Sequence, residues 1–591
     1  MVCKELKRML KNLWNHLSAR RKKQFLLIIP LMLSASFAEM VSIGAIIPFL
    51  GVLTSPETIY HHQLIQPLIQ FLEIENPSQL LLVLTLIFIF AVFLSSIIRI
   101  LMLYAITKLS FATGTDLSVE IYRRTLYQDY SVHTSRNSSE VINSIITKTN
   151  TIINNIIGPM LYLISSVIMM VGIMVALIAV DPITALLAFT CFGLLYWGVV
   201  QKTKARIMVN GQNIAVQSTL MVKALQEGLG GIRDILIDGT QELYCRIYSE
   251  ADLSFRRASG DNQFIGGSPR YAIEGIGMSL IAALAYFLTQ QNGGVIAVIP
   301  VLGALALGAQ RLLPALQQAY YSYSTIKGSK ASFLDVLSLL NQPIPSYLEE
   351  PVLEPLPFKK SIGLCKISFR YGDELPWVLK NVDLEIPKGT SIGFMGSTGG
   401  GKSTLIDIIM GLLSPSKGEL NIDGVAINEN NCRAWQSHIA HVPQNIYLAD
   451  RTIEENIAFG VSKEKINKKQ VKMAAKSAQI AGLIEGWEKG YQTSVGERGV
   501  RLSGGQRQRV GIARALYKQA NVLVFDEATS ALDNKTEQAV MDTIEGLGKE
   551  ITVIIIAHRL STLKKCDFVV EIDKNHTTKI TSYQEIINES N

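Results

Sequence analysis

Six stretches of the chain are apolar over lengths that only lipid or other protein can cover: residues 25–53, 80–107, 152–179, 183–201, 271–289 and 295–318. A helix of about 20 mostly apolar residues crosses the hydrocarbon core of a bilayer. There, every backbone N–H and C=O has to be paired within the segment itself. Each stretch therefore predicts a membrane-spanning helix. The third and fourth are joined by Asp181-Pro182 alone and read as a hairpin; the fifth and sixth are parted by the polar Gln290-Gln291-Asn292-Gly293-Gly294.

Charge is distributed to match. Only 18% of the 591 residues are charged, against 48% hydrophobic and a formal net charge of +7, where soluble chains carry about 25% charged residues. Residues 1–340 hold 26 Lys and Arg against 19 Asp and Glu, and residues 341–591 hold 30 of each, so the whole excess lies in the apolar half. That balance excludes disorder, collagen-like repeats and rod-like coiled coils, and it argues against a nucleic-acid binder, whose basic patch would lie on a soluble face.

Eight basic residues precede the first span, while residues 54–78, 181–182 and 290–294 have none. The connections after the second and fourth spans carry Arg123, Arg124, Lys202, Lys204, Arg206, Arg233, Arg256 and Arg257. By the bias of basic residues toward the cytoplasm, this predicts a multi-pass protein of the cell (inner) membrane with both termini cytoplasmic. The basic Lys4–Lys23 stretch runs into the first span without a small-residue cleavage pattern, so no cleaved leader is expected. About 24 residues before that span are too few for a protease domain.

Two cytoplasmic connections are about 45 and 70 residues long. Apolar residues recur at helical spacing through Leu117, Ile121, Leu126 and Leu220, Val222, Leu225. The spans are thus expected to continue as long helices beyond the bilayer, broken at 134–137 and 230–234. Between spans one and two, residues 62–72 predict a short interfacial helix, kinked or started late by Pro67. The neighbouring His61 and His62 point apart and suit solvent better than a metal. Six scattered cysteines (Cys3, Cys191, Cys245, Cys365, Cys432, Cys566) form no pair at ligand spacing and read as reduced thiols.

The second half holds a phosphate-binding pattern. Gly396-Ser397-Thr398-Gly399-Gly400-Gly401-Lys402-Ser403-Thr404 matches G-x-x-x-x-G-K-[ST], and it lies between a strand-like run (391–395) and a helix-like run (405–409). Glycines let backbone N–H groups close around phosphates, Lys402 reaches the β- and γ-phosphates, and Ser403 offers a Mg²⁺ ligand. Downstream, Asn521-Val522-Leu523-Val524-Phe525-Asp526-Glu527 reads as a buried strand ending in two carboxylates, Asp526 for Mg²⁺ and Glu527 for the attacking water.

Between these lies Leu502-Ser503-Gly504-Gly505-Gln506, which resembles the signature of ATP-binding cassette (ABC) proteins. The resemblance extends in order across residues 355–580. It implies that Tyr371 stacks on adenine, that Gln444 contacts Mg²⁺, and that Thr493–Gly499 form an exporter-type loop. It further implies that Ser530-Ala531-Leu532-Asp533 is the D-loop and His558 the switch histidine. The fold class implied is a membrane α-helical domain of six transmembrane helices with long cytoplasmic extensions, followed by an α/β P-loop ATP-binding cassette domain. Expected boundaries are 1–340 for the membrane domain, 341–354 for a linker and 355–591 for the cassette.

In such exporters the signature of one cassette closes over the lysine loop of another, so a half-transporter has to pair. Glu527, His558 and Ser503 are all present, which favours a homodimer with two competent sites. ATP and Mg²⁺ are the implied cofactors.

For the substrate, Glu39, Arg99, Glu274 and Arg311 stand in or beside the apolar runs, with Arg270 at the start of the fifth. Buried ionisable groups in a bilayer are functional candidates, and arginines suit phosphate oxygens. Internal ion pairing and snorkelling of Arg270 or Arg311 are the alternatives. Gly266–Glu274 resembles the Pro-Arg-Tyr…Glu segment of PglK-type flippases, which move polyprenyl-pyrophosphate-linked oligosaccharides. That resemblance implies a lipid-linked substrate held by Arg99, Arg270, Glu274 and Arg311. An exporter of peptides, other lipids or amphipathic drugs is the competing expectation. A cassette ATPase without transport is disfavoured by the six spans.

Overall fold

The computed structural model describes residues 2–585 apart from 55–56, 58–59, 62–65, 72–75, 181, 290–293, 346–354, 398, 529–530, 547–549, 557–562 and 574–576. The chain divides into two compact units: Met1–Gln128 with Arg136–Pro343, and Ile344–Asn591 with the short segment Asp129–Ser135.

The first unit is helical throughout. An amphipathic helix α1 (Val2–His16) precedes α2 (Ala19–Thr54), a short α3 (Gln66–Phe71) and α4 (Pro77–Leu126). After α5 (Tyr130–Ser135), which belongs to the second unit, come α6 (Ser138–Asn143), α7 (Thr149–Ile152) and α8 (Gly158–Val180). Two wide π turns, Ser144–Lys148 and Ile153–Ile157, join these last three. The unit continues through α9 (Pro182–Gly230), α10 (Ile232–Asp238), α11 (Gln241–Gly267), α12 (Pro269–Thr289), α13 (Gly294–Gly328) and α14 (Lys330–Leu340).

All six apolar stretches lie on helices. Among the described residues, Ala19–Leu53, Gln79–Leu126 and Ser138–Ala179 are long and apolar enough to cross a membrane. Their inner faces are buried and their outer faces expose large apolar side chains such as Leu27, Phe90 and Phe93. A helix apolar all round, wet on one side, is a lipid-facing helix. The expected breaks coincide with the ends of α5 and α9. Of the interfacial helix, Gln66–Phe71 is seen, with Pro67 in its first turn where a missing N–H costs nothing; residues 62–65 and 72 lie outside the described residues.

One core of this unit gathers Met9, Leu13 and Leu17 with Phe25, Ile106, Leu117, Ile121, Ile152 and Phe333. The N-terminal basic stretch is therefore a packed helix as well as a charged flank. A second core joins Ile43, Ile173, Phe192, Ile273, Leu312 and Tyr320.

In the second unit, β1 (Ser361–Phe369), β2 (Leu379–Pro387), β4 (Lys417–Ile422) and β5 (Val425–Ala426) form an antiparallel sheet ordered β2-β1-β4-β5. The main sheet is ordered β10-β9-β3-β8-β7-β6, from β3 (Ser391–Gly396), β6 (Ile439–Val442), β7 (Val522–Asp526), β8 (Thr552–Ile556), β9 (Phe568–Ile572) and β10 (Thr578–Thr581). All pairings but β9–β10 are parallel. Val522 and Val524 face a core shared with β1, β2 and the helix α15 (Lys402–Ile409); Leu523 and Phe525 face a second core that holds the helix α16 (Gly504–Tyr517). Burial on both faces is why β7 reads as an uninterrupted apolar run.

Candidate nucleotide site and membrane charge cluster

Parallel strands end on one edge, so the segments leaving β3, β6, β7 and β8 converge there. After β3 comes the 396–404 loop, after β6 Gln444, and after β7 Asp526 and Glu527. His558, after β8, and Thr398 lie outside the described residues.

The loop needs its glycines. Gly396 has φ +146° and a Cβ there would sit 2.5 Å from the Ile572 carbonyl oxygen; Gly401 has φ +94° and would meet the Val378 carbonyl at 2.8 Å. Lys402 is buried, and its Nζ donates to the carbonyls of Gly396 (2.8 Å) and Ser397 (3.0 Å). The ammonium is thus aimed into the loop before any anion is added. Ser403 is exposed beside it while Thr404 is buried. Tyr371 is tied to the loop by a hydroxyl contact with Thr404 (3.1 Å) and rests edge-on against Phe369, leaving its ring half exposed for stacking.

Gln444 Nε2 donates to Glu527 Oε2 at 2.6 Å, and the Glu527 N–H donates to the Ile556 carbonyl. Glu527 has φ +49°, a left-handed conformation uncommon outside glycine. Strain of this kind persists where surrounding structure enforces it, and it aims the carboxylate at Gln444.

The signature is rooted in the other core. Ser503 caps α16 by accepting from the Gln506 N–H while the Gln506 side chain accepts from the Ser503 N–H. Gly504 and Gly505 open the helix, and a Cβ on Gly505 would press to 3.0 Å of the Ala531 carbonyl. Gln508 accepts from the Ala531 N–H, so α16 holds the 531–533 turn. Asp533 caps the next helix, Asn534–Glu545, and hydrogen bonds from Thr536 keep its carboxyl below the usual range.

Two residues of this unit were not singled out from sequence. Asp407, within the apolar run 405–409, is pushed up to about 6 by burial and by the nearby Asp526. Arg514 on α16 donates to the carbonyls of Asn456 (2.9 Å) and Tyr447 (3.0 Å), tying the segment after Gln444 to the signature helix; burial lowers it to about 10. The signal for Asp407 was a lone carboxylate in an apolar helix; Arg514, one of several arginines on its helix, had none.

In the membrane unit, Arg99 and Arg311 both turn to Glu39. Arg311 Nε lies 2.9 Å from Glu39 Oε1, Arg99 Nη1 lies 3.9 Å from Oε2, and Ser95 Oγ donates to Oε2 at 2.7 Å. Arg270 pairs along its own helix with Glu274 at 3.6 Å, both half exposed. Internal pairing, the alternative set beside headgroup binding, is thus present at every one of these arginines. A separate apolar cleft of about 460 Å³ between α2 and α4 is lined by Leu33, Phe37, Ala38, Val41, Leu94 and Ile98.

Comparison with known proteins follows the same division. Residues 25–295 match the ABC transporter transmembrane region and residues 379–530 the ABC transporter family model. The chain is 30% identical over 458 residues to the heterocyst differentiation ATP-binding protein HepA of Nostoc sp., covering 76% of this chain and 73% of that one. It is 34% identical over 279 residues to an ATP-dependent lipid A-core flippase of Alkalilimnicola ehrlichii, covering 47% and 46%. A flippase of the same name from Francisella tularensis is 40% identical over 227 residues, covering 38% and 37%. Both flippase matches therefore span less than half of either chain. A bacterial Atm1-family ABC exporter with ATP bound shares the fold at TM-score 0.77 over 96% of each chain, at 22% identity. With a helical membrane domain followed by an ATP-hydrolysing cassette, this chain belongs to the ABC transporter family and has the fold of an exporter half-transporter.

Proposed function

We propose that two copies of the chain form an ATP-driven flippase that carries a lipid with an anionic headgroup from the cytoplasmic to the outer leaflet of the inner membrane. A polyprenyl-pyrophosphate-linked oligosaccharide is the substrate that suits it best. The observation that carries the reading is the membrane charge cluster, two arginines on one buried carboxylate, which keeps positive charge within an apolar domain. The apolar cleft between α2 and α4 offers room for hydrocarbon. Relatives named as lipid A-core flippases support a lipid cargo, and the Gly266–Glu274 segment supports the pyrophosphate-linked class. The basic residues flanking the spans favour cytoplasmic termini.

The nucleotide side fits Mg²⁺ and ATP: a buried ammonium aimed into a glycine loop, with carboxylates across the sheet edge. Ser403, Gln444 and Asp526 would hold the metal, which when bound neutralises phosphate charge. Lys402 and the loop N–H groups bind the phosphates, and Tyr371 presents its ring to the base. Glu527, aimed by Gln444, takes the proton of the attacking water, with His558 at the γ-phosphate. Ser503–Gln506 and Asp533 act on the site of the second copy. Site closure and opening then drive alternating access.

The test is ATPase activity in proteoliposomes across polyprenyl-pyrophosphate glycans, lipid A, peptides and amphipathic drugs. Stimulation by the pyrophosphate lipids is expected; stimulation by peptides or drugs alone overturns the substrate class. Glu527→Gln is expected to lower turnover by about 10²- to 10⁴-fold with ATP binding retained. Undiminished hydrolysis would sink the base assignment.

A further inference from the structure

The arginines that face Glu39 are not equivalent. Arg311 makes close ion contact at 2.9 Å, whereas Arg99, at 3.9 Å, is beyond hydrogen-bond reach of the carboxylate and keeps 42% of its side chain exposed. Glu39 itself is 1% exposed, and Ser95 fixes its second oxygen. Two guanidiniums against one carboxylate leave a surplus positive charge in a domain where an uncompensated charge is costly. A carboxylate flanked by two guanidiniums, one at 2.9 Å and one at 3.9 Å, stands where an anionic phosphate headgroup could be bound by the same two groups. Ala38 and Ile98, the chain neighbours of Glu39 and Arg99, line the α2–α4 cleft, so the same two helices that carry the charges also carry an apolar cleft.

We propose that Glu39 is a built-in stand-in for the substrate's anionic headgroup. It positions Arg99 and Arg311 while the site is empty and competes with the headgroup for them during transport. Affinity for anionic lipid is therefore set by a residue that never needs to touch the substrate. Arg99 is the arginine that meets the headgroup first, and Arg311 is the anchor that Glu39 gives up last. The inference rests on the anionic-lipid reading above.

The experiment uses the full chain in nanodiscs of phosphatidylcholine, with ATPase followed as geranylgeranyl pyrophosphate is titrated and uncharged geranylgeraniol serves as control. Removing the competing charge with Glu39→Gln is expected to lower the half-saturating concentration about tenfold with little change in maximal rate. Arg99→Gln is expected to raise it about tenfold, and the double variant to fall between the two single variants, because Glu39→Gln still releases Arg311. Ser95→Ala, which keeps the Glu39 charge and frees its Oε2 for Arg99, is expected to shift it about threefold in the direction opposite to Glu39→Gln. It decides the matter should Glu39→Gln fail to fold. A purely structural role moves maximal rate and thermal midpoint with half-saturation fixed, and that outcome overturns the inference alone. A wild-type protein that responds neither to geranylgeranyl pyrophosphate nor to lipid A overturns the anionic-lipid reading and this inference with it.

Discussion

Asp407 illustrates what a single residue can do at the edge of the nucleotide site. Its carboxyl, ordinarily near 3.8, is raised to about 6 by burial and by Asp526. The folded state therefore holds the proton more tightly than the unfolded one, and this residue's contribution to stability falls as pH rises from 3.8 to 6. Above that window the charge is carried at a cost of about 1 kcal/mol, once partial exposure is allowed for. Asp407→Asn is expected to raise the thermal midpoint by about 2–4 °C at pH 7.5, with the difference shrinking at pH 5. Equal differences at both pH values in differential scanning fluorimetry would assign the effect to another cause. Lys402, Asp526 and Glu527 could be picked out in the sequence because local spacing marks the glycine loop and the strand end on which they stand. Glu39, Arg99 and Arg311 also stood out as charges in apolar runs, with ion pairing as one alternative, but that both arginines converge on Glu39 and that Arg99 keeps the more exposed face is shown only by packing.

At the scale of elements, α16 carries two demands on one residue. Ser503 is both the cap of the helix and the residue expected to face a nucleotide held by another copy. Ser503→Ala is expected to cost about 1 kcal/mol of cassette stability through the lost cap. Ser503→Asp keeps a capping oxygen and so holds the midpoint near wild type, yet it places a negative charge at the phosphate and should abolish ATPase. Thermal midpoint and turnover measured together separate these two roles, and an active Ser503→Asp protein would refute the second. Elements with continuous apolar runs, such as α4 and β7, could be read from the chain. The π turns at Ser144–Lys148 and Ile153–Ile157 could not, since a wide turn leaves the apolar pattern almost unchanged. Nor was the packed face of α1 evident, masked as it was by the basic residues on its other side.

For the whole molecule, paired cassettes give a sharp expectation. Lys402→Ala and Ser503→Arg are each expected to be inactive alone, since each would disable both sites of the proposed homodimer. When they are co-expressed, mixed dimers hold one intact lysine loop opposite one intact signature, and ATPase activity should return in part. No recovery from purified mixed dimers would argue that each cassette completes its own site. The division into an apolar and a charge-neutral half was visible from composition alone, and it coincides with the two units except at one place. Asp129–Ser135 lies in the first half of the sequence and belongs to the second unit.

That exception bears on where the chain can be divided. With Asp129–Ser135 counted in the second unit, the backbone passes between the units three times, at 128–129, 135–136 and 343–344. Both ends of Asp129–Ser135 run into the first unit, so a cassette expressed from residue 344 onward lacks seven residues of its own unit.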